Sequence, residues 1–176
     1  PTPTTSPGAP GPVAAASCSA AGMDAALTPQ PALPSEVQSV RDQIFNLALA
    51  CDFEGLSDLA RAPSGSFTYS FGGSNGDLAG YLKDADNHEN ALRVLVGLLD
   101  TPYVTPQDVY GPEYSGPQGY WWPSAFRSSP TDADWEALEG VIPAAELQAY
   151  RSSGSYVGRR LFITKDGDWQ IFVTGD

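Results

Sequence analysis

The sequence predicts an α+β fold in which helices pack on a small, curved antiparallel sheet that ends in a C-terminal β-hairpin. Three observations predict this class. Apolar residues at spacings of three and four dominate the region 35–99, which is the period of an amphipathic helix. Aromatic and polar residues alternate at 66–71, and two strand-like segments flank Asp166 and Gly167. Helices that come first and a hairpin that comes last are typical of an α+β domain.

The N-terminal segment 1–17 differs in composition from the rest of the chain. It carries five prolines and no periodic apolar face. Such a segment buries too little surface to offset the entropy of ordering it. We therefore predict a Pro/Thr/Ala-rich linker or tail at 1–17 and one α+β domain at 18–176. The tail is either a spacer that holds the domain away from a membrane or wall, or a frayed terminus.

One helix is predicted between the two cysteines, and a second begins just after Cys51. Ser35 begins the first, and Gln38 three residues later completes a capping-box pattern. Its apolar face runs to Cys51. Asp52 has the position of the N-cap of a second, short helix, which must end before Pro63 because proline cannot continue it.

The middle of the chain predicts one strand and two more helices. Alternation at 66–71 favours a half-buried strand. After a glycine-rich loop, Asp77 caps the next helix, and a further helix is expected at about 88–99. The Pro- and Gly-rich stretch 101–119 predicts a long ordered loop, and loops of that length are often functional.

The C-terminal third predicts a short strand, two helices and the hairpin. Residues 120–126 form the strand, whose pairing Pro123 interrupts. Thr131 or Asp132 caps one helix, and Pro143 suits the first position of another. Asp-Gly between two β-rich segments is a strong signal for a tight hairpin turn.

The two cysteines, Cys18 and Cys51, indicate the compartment. In a cytoplasmic protein they would be free core thiols, whereas in an exported protein an even number favours a disulfide. The Pro-rich tail favours export, so we predict a bridge and a secreted or cell-envelope location. Closing a loop of about 34 residues is worth roughly 4 kcal/mol by chain entropy. The alternative is that Cys18 is lipidated; in either case a signal or anchor would precede this segment.

The charge balance excludes some partners. The chain has 21 acidic and 9 basic residues and a formal net charge of −12. Nucleic acid and anionic membrane surfaces need clustered Lys and Arg, so neither is expected. Arg159 and Arg160 are adjacent but should point to opposite faces of a strand. No apolar run approaches the 18 residues or so of a membrane-spanning helix. The alternative to a secreted domain is one with a membrane or wall anchor upstream.

Residues for catalysis or metal binding do not form a recognisable set. The single histidine, His88, lies at a predicted helix start and is expected on the surface. Ser124 lacks both a nucleophile-elbow pattern and a base. The acidic residues near Asp134 suit a helix N-terminus, and those at the hairpin suit its turn. We therefore predict no catalytic residue, no metal and no cofactor.

Aromatic residues are the remaining candidates for a site. The candidate ligand-binding residues are Tyr69, Tyr110, Tyr114, Tyr120, Trp121 and Trp122. Trp121 and Trp122 should face opposite ways in a strand, which puts one in the core and the other at the surface or in a groove. The other interpretation of the whole set is core packing.

Short motifs carry a resemblance to a known family. CSAAG at 18–22, ACDF at 50–53, FTYSFG at 67–72, WPSAF at 122–126 and DGDWQIFVTGD at 166–176 resemble a family of exported, often lipoprotein-like actinobacterial proteins. Both cysteines belong to these motifs, which supports their pairing. The resemblance implies an extracytoplasmic location and no particular chemistry.

A second resemblance concerns the fold. The helix end at 50–56, the strand at 67–71 and the Asp-Gly-x-Trp-x-Ile strand at 166–171 resemble the nuclear transport factor 2-like superfamily, a cone-shaped α+β fold. That superfamily includes enzymes, ligand pockets and sensors, so fold alone implies no function.

Three functions follow as hypotheses. The first is an exported envelope or extracellular domain that binds a small ligand or an envelope protein through the region 101–126, without catalysis. The second is a hydrolase-type enzyme that uses Asp or Glu in a cone-shaped pocket. The third is a structural spacer. An enzyme should show a buried, cleft-facing carboxylate with a raised pKa, whereas a binding module should show an aromatic patch without one.

Overall fold

The fold is α+β, as predicted. The computed structural model describes residues 17–61, 67–69 and 76–175, so the predicted tail lies outside this range except for Ser17. The described helices are α1 (Ser35–Leu49), α2 (Phe53–Arg61), α3 (Leu78–Glu89), α4 (Ala91–Asp100), α5 (Pro106–Tyr110), α6 (Asp132–Glu136) and α7 (Ala144–Ser153). The described strands are β1 (Gly119–Trp122), β2 (Arg160–Thr164) and β3 (Trp169–Val173).

The sheet has the order β1-β2-β3, and both pairings are antiparallel. The β2–β3 hairpin turns at the predicted Asp-Gly pair, where Gly167 takes a φ of 89°. Single residues extend the sheet at both edges: Val104 bridges Trp121 next to β1, and Thr68 bridges Ile171 next to β3. The sheet surface is therefore wider than its three strands.

The sheet buries apolar residues on both faces. Its inner face contributes to the main core, with Tyr120, Trp122, Leu161, Ile163, Trp169 and Phe172. Its outer face carries a second, smaller cluster built on Val104, Trp121 and Phe162. Because side chains alternate along a strand, neighbouring residues such as Trp121 and Trp122 serve different clusters.

The helices cover the inner face. Helix α1 buries Val37, Ile44 and Ala48. Helix α4 packs against α1 and buries most of its own apolar residues. Arg41 of α1 is fully buried as well, and its guanidinium donates to the carbonyls of Leu99 and Thr28. Burial lowers the pKa of Arg41, while Asp42 and Asp100 oppose that shift.

Several predicted helix starts are confirmed. The side chain of Asp52 accepts a hydrogen bond from the Gly55 amide at 2.8 Å. Asp77 accepts from Gly80 at the start of α3, and Thr131 caps α6 in a capping box with Asp134. Short polar side chains at these positions satisfy amides that the first helical turn leaves unpaired.

Other predicted boundaries are wrong. The capping box at Ser35 does not form: α1 enters through Pro34, whose φ of −57° suits a helix start, and no side chain caps it. Pro143 precedes α7 rather than opening it. The helix expected at 88–99 begins at Ala91, because α3 continues to Glu89 and Asn90 between them takes a left-handed φ of 52°.

The strand expected at 66–71 is only partly within the described residues. Within 67–69, Thr68 forms an isolated parallel bridge with Ile171. Its amide donates to the carbonyl of Gln170, and its carbonyl accepts from Phe172. The loop expected at 101–119 contains helix α5, since Thr105 and Asp108 form a capping box in front of Pro106.

The predicted disulfide is confirmed. Cys18 and Cys51 are bonded, with their Cα atoms 5.6 Å apart. The bridge fastens the segment that follows the tail to the residue just beyond α1. Ser19 strengthens this attachment because its amide and hydroxyl both donate to the buried carboxylate of Asp86, which also accepts from the Leu92 amide. None of the helices in the described part of the chain combines the length and hydropathy needed to cross a bilayer.

Candidate functional site

The outer face of the sheet opens into a cavity of about 460 Å³, which we call the aromatic cavity. The strands supply Trp121, Arg160, Phe162, Gln170, Ile171 and Val173 to its wall. The segments that lie over or beside the sheet supply Thr68, Tyr110, Tyr114, Pro117 and Phe126. A volume of this size is within the range of small-molecule sites.

The floor of the cavity is set by strand register. Trp121 of β1 pairs with Phe162 of β2, which pairs in turn with Ile171 of β3. All three side chains therefore project from the same face in one row across the sheet. The rings of Trp121 and Phe162 lie 4.8 Å apart, so the floor is a continuous apolar surface.

The wall is formed by α5 and the loop that follows it. The rings of Tyr110 and Tyr114 stack at 4.9 Å, and Tyr110 also meets Phe126 edge-on at 6.5 Å. Gly116 permits this arrangement, because a Cβ atom there would collide with the Tyr114 hydroxyl. Tyr110 is 52% exposed, the large apolar side chain most open to solvent among the described residues. Such an exposed ring at a cavity mouth is available to a ligand.

Burial of Tyr110 within this wall raises the pKa of its phenol. The neighbouring Tyr114 adds to that shift, and the charge of Arg160 opposes it. The phenol is therefore neutral at physiological pH and offers one donor and one acceptor beside the apolar floor.

The described cavity wall carries one formal charge, that of Arg160. Arg160 is 5% exposed, and its guanidinium carbon lies 4.6 Å from the centre of the Phe126 ring. Its Nη1 donates to the Gly158 carbonyl at 3.2 Å. Arg159 points to the other side, where it pairs with Glu89 and lies over Phe172. The two arginines face opposite ways, as the strand pattern predicted.

Comparison with known proteins gives no family for the chain. No family model matches the sequence, and no curated protein or solved structure is significantly similar to it.

The structure brings together three of the six candidate ligand-binding residues: Tyr110, Tyr114 and Trp121. Tyr120 and Trp122 lie on the inner face of the sheet with Tyr103, which contacts both rings. Tyr69 is buried elsewhere.

Tyr69 lies between Phe67 and Tyr81, at ring-centre distances of 6.4 Å and 4.4 Å. It belongs to the main core. We grouped Tyr69 with the tyrosines of 101–126 because of its residue type, but it is not among the described residues that line the aromatic cavity.

Sequence reasoning missed Phe126, Arg160 and Phe162 as cavity residues. One usable signal existed for the last two, since Arg160 and Phe162 are two residues apart in β2 and so share a face. Placing them beside Trp121 required the β1–β2 register, which no local pattern in the sequence specifies.

The two buried carboxylates of the described chain have structural roles. Asp86 ties Ser19 to the α3–α4 junction. Asp134 accepts from Thr131 in the α6 capping box and lies 3.2 Å from Nε of Arg127. No Asp or Glu lines the described part of the aromatic cavity. Within 17–61, 67–69 and 76–175, no group of three or more His, Cys, Asp or Glu could hold a metal.

The other two candidates for chemistry, His88 and Ser124, are also unsuited to catalysis. His88 lies on the surface of α3, and its Nδ1 is 2.9 Å from the Asp84 carbonyl oxygen. Ser124 is fully buried next to Asp134, so it has no access to a substrate. Neither residue lines the described part of the aromatic cavity.

Asp134 gives a pH-dependent prediction for stability. Burial disfavours its charge, but the adjacent Ser124 hydroxyl, the hydrogen bonds from Thr131 and the charge of Arg127 outweigh burial and hold its pKa below the usual 3.8. A carboxyl group whose pKa is lowered by folding stabilises the fold at any pH above its ordinary pKa. This stabilisation is lost as the pH falls through the pKa of the folded state. We expect Asp134→Asn to reduce the free energy of unfolding by about 1–3 kcal/mol at neutral pH.

Urea unfolding across a pH series measures this difference. The gap between Asp134→Asn and the wild type should close as the pH falls below 3.8. Asp132→Asn removes the same charge from an exposed position in the same helix, so it is the matched control and should change little. A gap that stays constant down to strongly acid pH would contradict the role assigned to the Asp134 charge.

Proposed function

We propose that this chain is an extracytoplasmic ligand-binding domain that holds a small, flat ligand in the aromatic cavity without catalysing a reaction. The single observation that carries the proposal is the stacked, half-open pair Tyr110 and Tyr114 above an apolar floor on the outer face of the sheet. Planar apolar molecules gain most from such surroundings, since ring stacking adds to the burial of apolar area.

The position of the cavity supports this role. The main core lies on the inner face of the sheet and is built without Tyr110 or Tyr114. The exposed Tyr110 ring therefore contributes little to folding, whereas it gives the cavity its mouth. An apolar surface that stays exposed to solvent and that the core does not need is typical of a binding site.

An extracytoplasmic location is part of the proposal. The Cys18–Cys51 disulfide supports it, because such bonds persist mainly in oxidising compartments. The net charge of −12 is compatible with a small ligand and unfavourable for nucleic acid.

The pKa values and positions of the carboxylates favour a binding function over a hydrolase. The pKa of Asp108 is lowered chiefly by hydrogen bonds from Thr105. The pKa of Asp134 is lowered, against burial, by the adjacent Ser124 hydroxyl, the hydrogen bonds from Thr131 and the charge of Arg127. A general acid at neutral pH needs the opposite shift. Neither residue lines the cavity in the described part of the chain.

The test measures binding of a neutral flat probe, naphthylmethanol, by fluorescence titration. We expect the wild type to bind it and Tyr110→Ala to weaken binding about fivefold, because the lost ring contact is worth about 1 kcal/mol. The unfolding midpoint should hardly change, since this ring is half exposed.

Tyr150→Ala is the control, as Tyr150 is a partly exposed tyrosine on α7 outside the cavity lining. Its affinity for the probe should equal that of the wild type. Absence of binding by the wild type, or equal weakening by both variants, would refute the cavity as the binding site.

A further inference from the structure

We propose that the aromatic cavity is a docking site for a proline-rich peptide segment, and that residues 1–16 of the same chain are the segment that occupies it. This inference rests on the proposed function, since it uses the same cavity. It adds an occupant of stated chemistry, which competes there with any other ligand.

The described lining of the cavity suits proline rings. The stacked rings of Tyr110 and Tyr114 stand beside a floor made by the rings of Trp121 and Phe162. Pro117 belongs to the same lining, so the cavity already accommodates one proline ring among its aromatic side chains. Aromatic-lined grooves bind proline-rich segments, because the polyproline II conformation of such segments is largely formed before binding and costs little entropy to fix.

The polar groups of the lining suit an uncharged peptide. Thr68 and Gln170, together with the two tyrosines, supply hydroxyl and amide groups that donate and accept hydrogen bonds. A polyproline II segment makes no hydrogen bonds within its own backbone, so its carbonyls can accept from such groups. The described lining contains no Asp or Glu, and its one formal charge belongs to Arg160, which packs on Phe126 within the wall. An occupant therefore needs no charge of its own.

Residues 1–16 have this chemistry. They contain five prolines and no charged side chain, in a chain whose formal net charge is −12. Pro7 and Pro10 are three residues apart, which is one turn of a polyproline II helix, so in that conformation their rings lie on the same side. Gly8 and Ala9 between them are small and leave the backbone accessible to a partner.

The described chain begins close to the Arg160 end of the cavity. The Ser19 amide donates to the Asp86 carboxylate at 2.8 Å. Glu89 lies about one helical turn further along α3, a rise of about 5 Å, and it pairs with Arg159. The next residue, Arg160, begins β2 and lines the cavity. Two side-chain contacts and one helical turn therefore connect the start of the described chain to the cavity wall.

The segment is long enough to reach the cavity from there. The ten steps from Pro7 to Ser17 span about 31 Å in a polyproline II conformation, at roughly 3.1 Å per residue. This is about twice the radius of gyration, roughly 15 Å, that is expected for a domain of this size. Ser17 is exposed, so the chain leaves the domain at its surface. Pro7 is therefore within reach of the cavity while Cys18 stays bonded to Cys51.

Substitutions in the full chain test the proposal by competition. Pro7→Ser/Pro10→Ser removes both rings and adds no charge. We expect this variant to bind naphthylmethanol about threefold more tightly than the wild type, because a segment that occupies about two-thirds of the cavities leaves about one-third free for the probe. Thr4→Ser/Thr5→Ser is the matched control, since it makes two substitutions in the same segment and keeps every proline. It should bind the probe as the wild type does.

A synthetic peptide with the sequence of residues 1–16 gives an independent measurement. When it is added to the Pro7→Ser/Pro10→Ser chain, it should move the indole N–H resonance of Trp121, which Trp121→Phe identifies. Tyr110→Ala in the same chain should weaken binding of the peptide. The same peptide carrying Pro7→Ser/Pro10→Ser should leave the resonance where it was.

The outcomes separate the occupant from the proposed function. If the wild type and Pro7→Ser/Pro10→Ser bind naphthylmethanol equally and in a Tyr110-dependent way, residues 1–16 do not occupy the cavity and the binding function stands. A difference that grows with protein concentration would assign the segment to a second copy of the chain and overturn the contact within one chain. If naphthylmethanol binds neither chain and the peptide moves no indole resonance, both the inference and the proposed function are refuted.

Discussion

We expect the double variant Cys18→Ala/Cys51→Ala to unfold with a free energy about 4 kcal/mol below that of the wild type, because the disulfide closes a loop of about 34 residues. The bridge restricts the unfolded chain, so its loss stabilises the unfolded state while the native fold is kept. Alanine is the suitable replacement for Cys51, which takes a left-handed φ of 56°. Glycine there would relieve backbone strain and mask part of the loss.

Chemical unfolding with and without a thiol reductant measures this effect. Reductant should destabilise the wild type to nearly the level of the double variant and leave the double variant unchanged. Thiol titration of the folded, unreduced wild type should find no reactive cysteine. If reductant leaves the wild-type unfolding midpoint where it was, the bridge contributes nothing to stability and this account of the N-terminal attachment is wrong.

The second large effect is expected at Trp122. Its side chain is 0% exposed in the main core, so Trp122→Ala should cost ~3–5 kcal/mol through lost burial and the void that is left. Its neighbour Trp121 is 6% exposed and lines the aromatic cavity. Water can enter the space that Trp121→Ala leaves there, so we expect a smaller loss of about 2 kcal/mol.

Urea unfolding of the two single variants tests this order. Naphthylmethanol binding should show the reverse order. Trp121→Ala should weaken binding because it removes part of the cavity floor, whereas Trp122→Ala should have little effect because Trp122 lies on the opposite face of the sheet. Equal losses of stability in both variants would mean that Trp121 is an ordinary core residue, which would weaken its role in ligand binding.

The local signals in the sequence predicted local structure well. Asp52, Asp77 and Thr131 cap helices as expected, because capping needs only the side chain and the amides two or three residues ahead of it. The Asp-Gly turn forms the β2–β3 hairpin for the same reason. A break between these two helices was predicted as well, but it lies at Asn90 rather than just before residue 88.

The candidate site could be predicted only in part. Tyr110, Tyr114 and Trp121 were selected by their density in a Pro- and Gly-rich segment, and they do meet in one cavity. Arg160 lies about forty residues further along the chain and reaches the cavity only because β1 pairs with β2. Such long-range pairing depends on the packing of the whole sheet, and a single sequence gives no measure of it.

The indole N–H resonances of the four tryptophans offer the most direct test of ligand binding at the outer face. Trp121 is the one among them that lines the described aromatic cavity, whereas Trp122, Trp135 and Trp169 lie in the main core. In a titration of the wild type with naphthylmethanol, we expect one indole signal to move, and that signal should be missing from the spectrum of Trp121→Phe. If no indole signal moves, or if the signal that moves belongs to one of the three core tryptophans, the outer face of the sheet is not the ligand site.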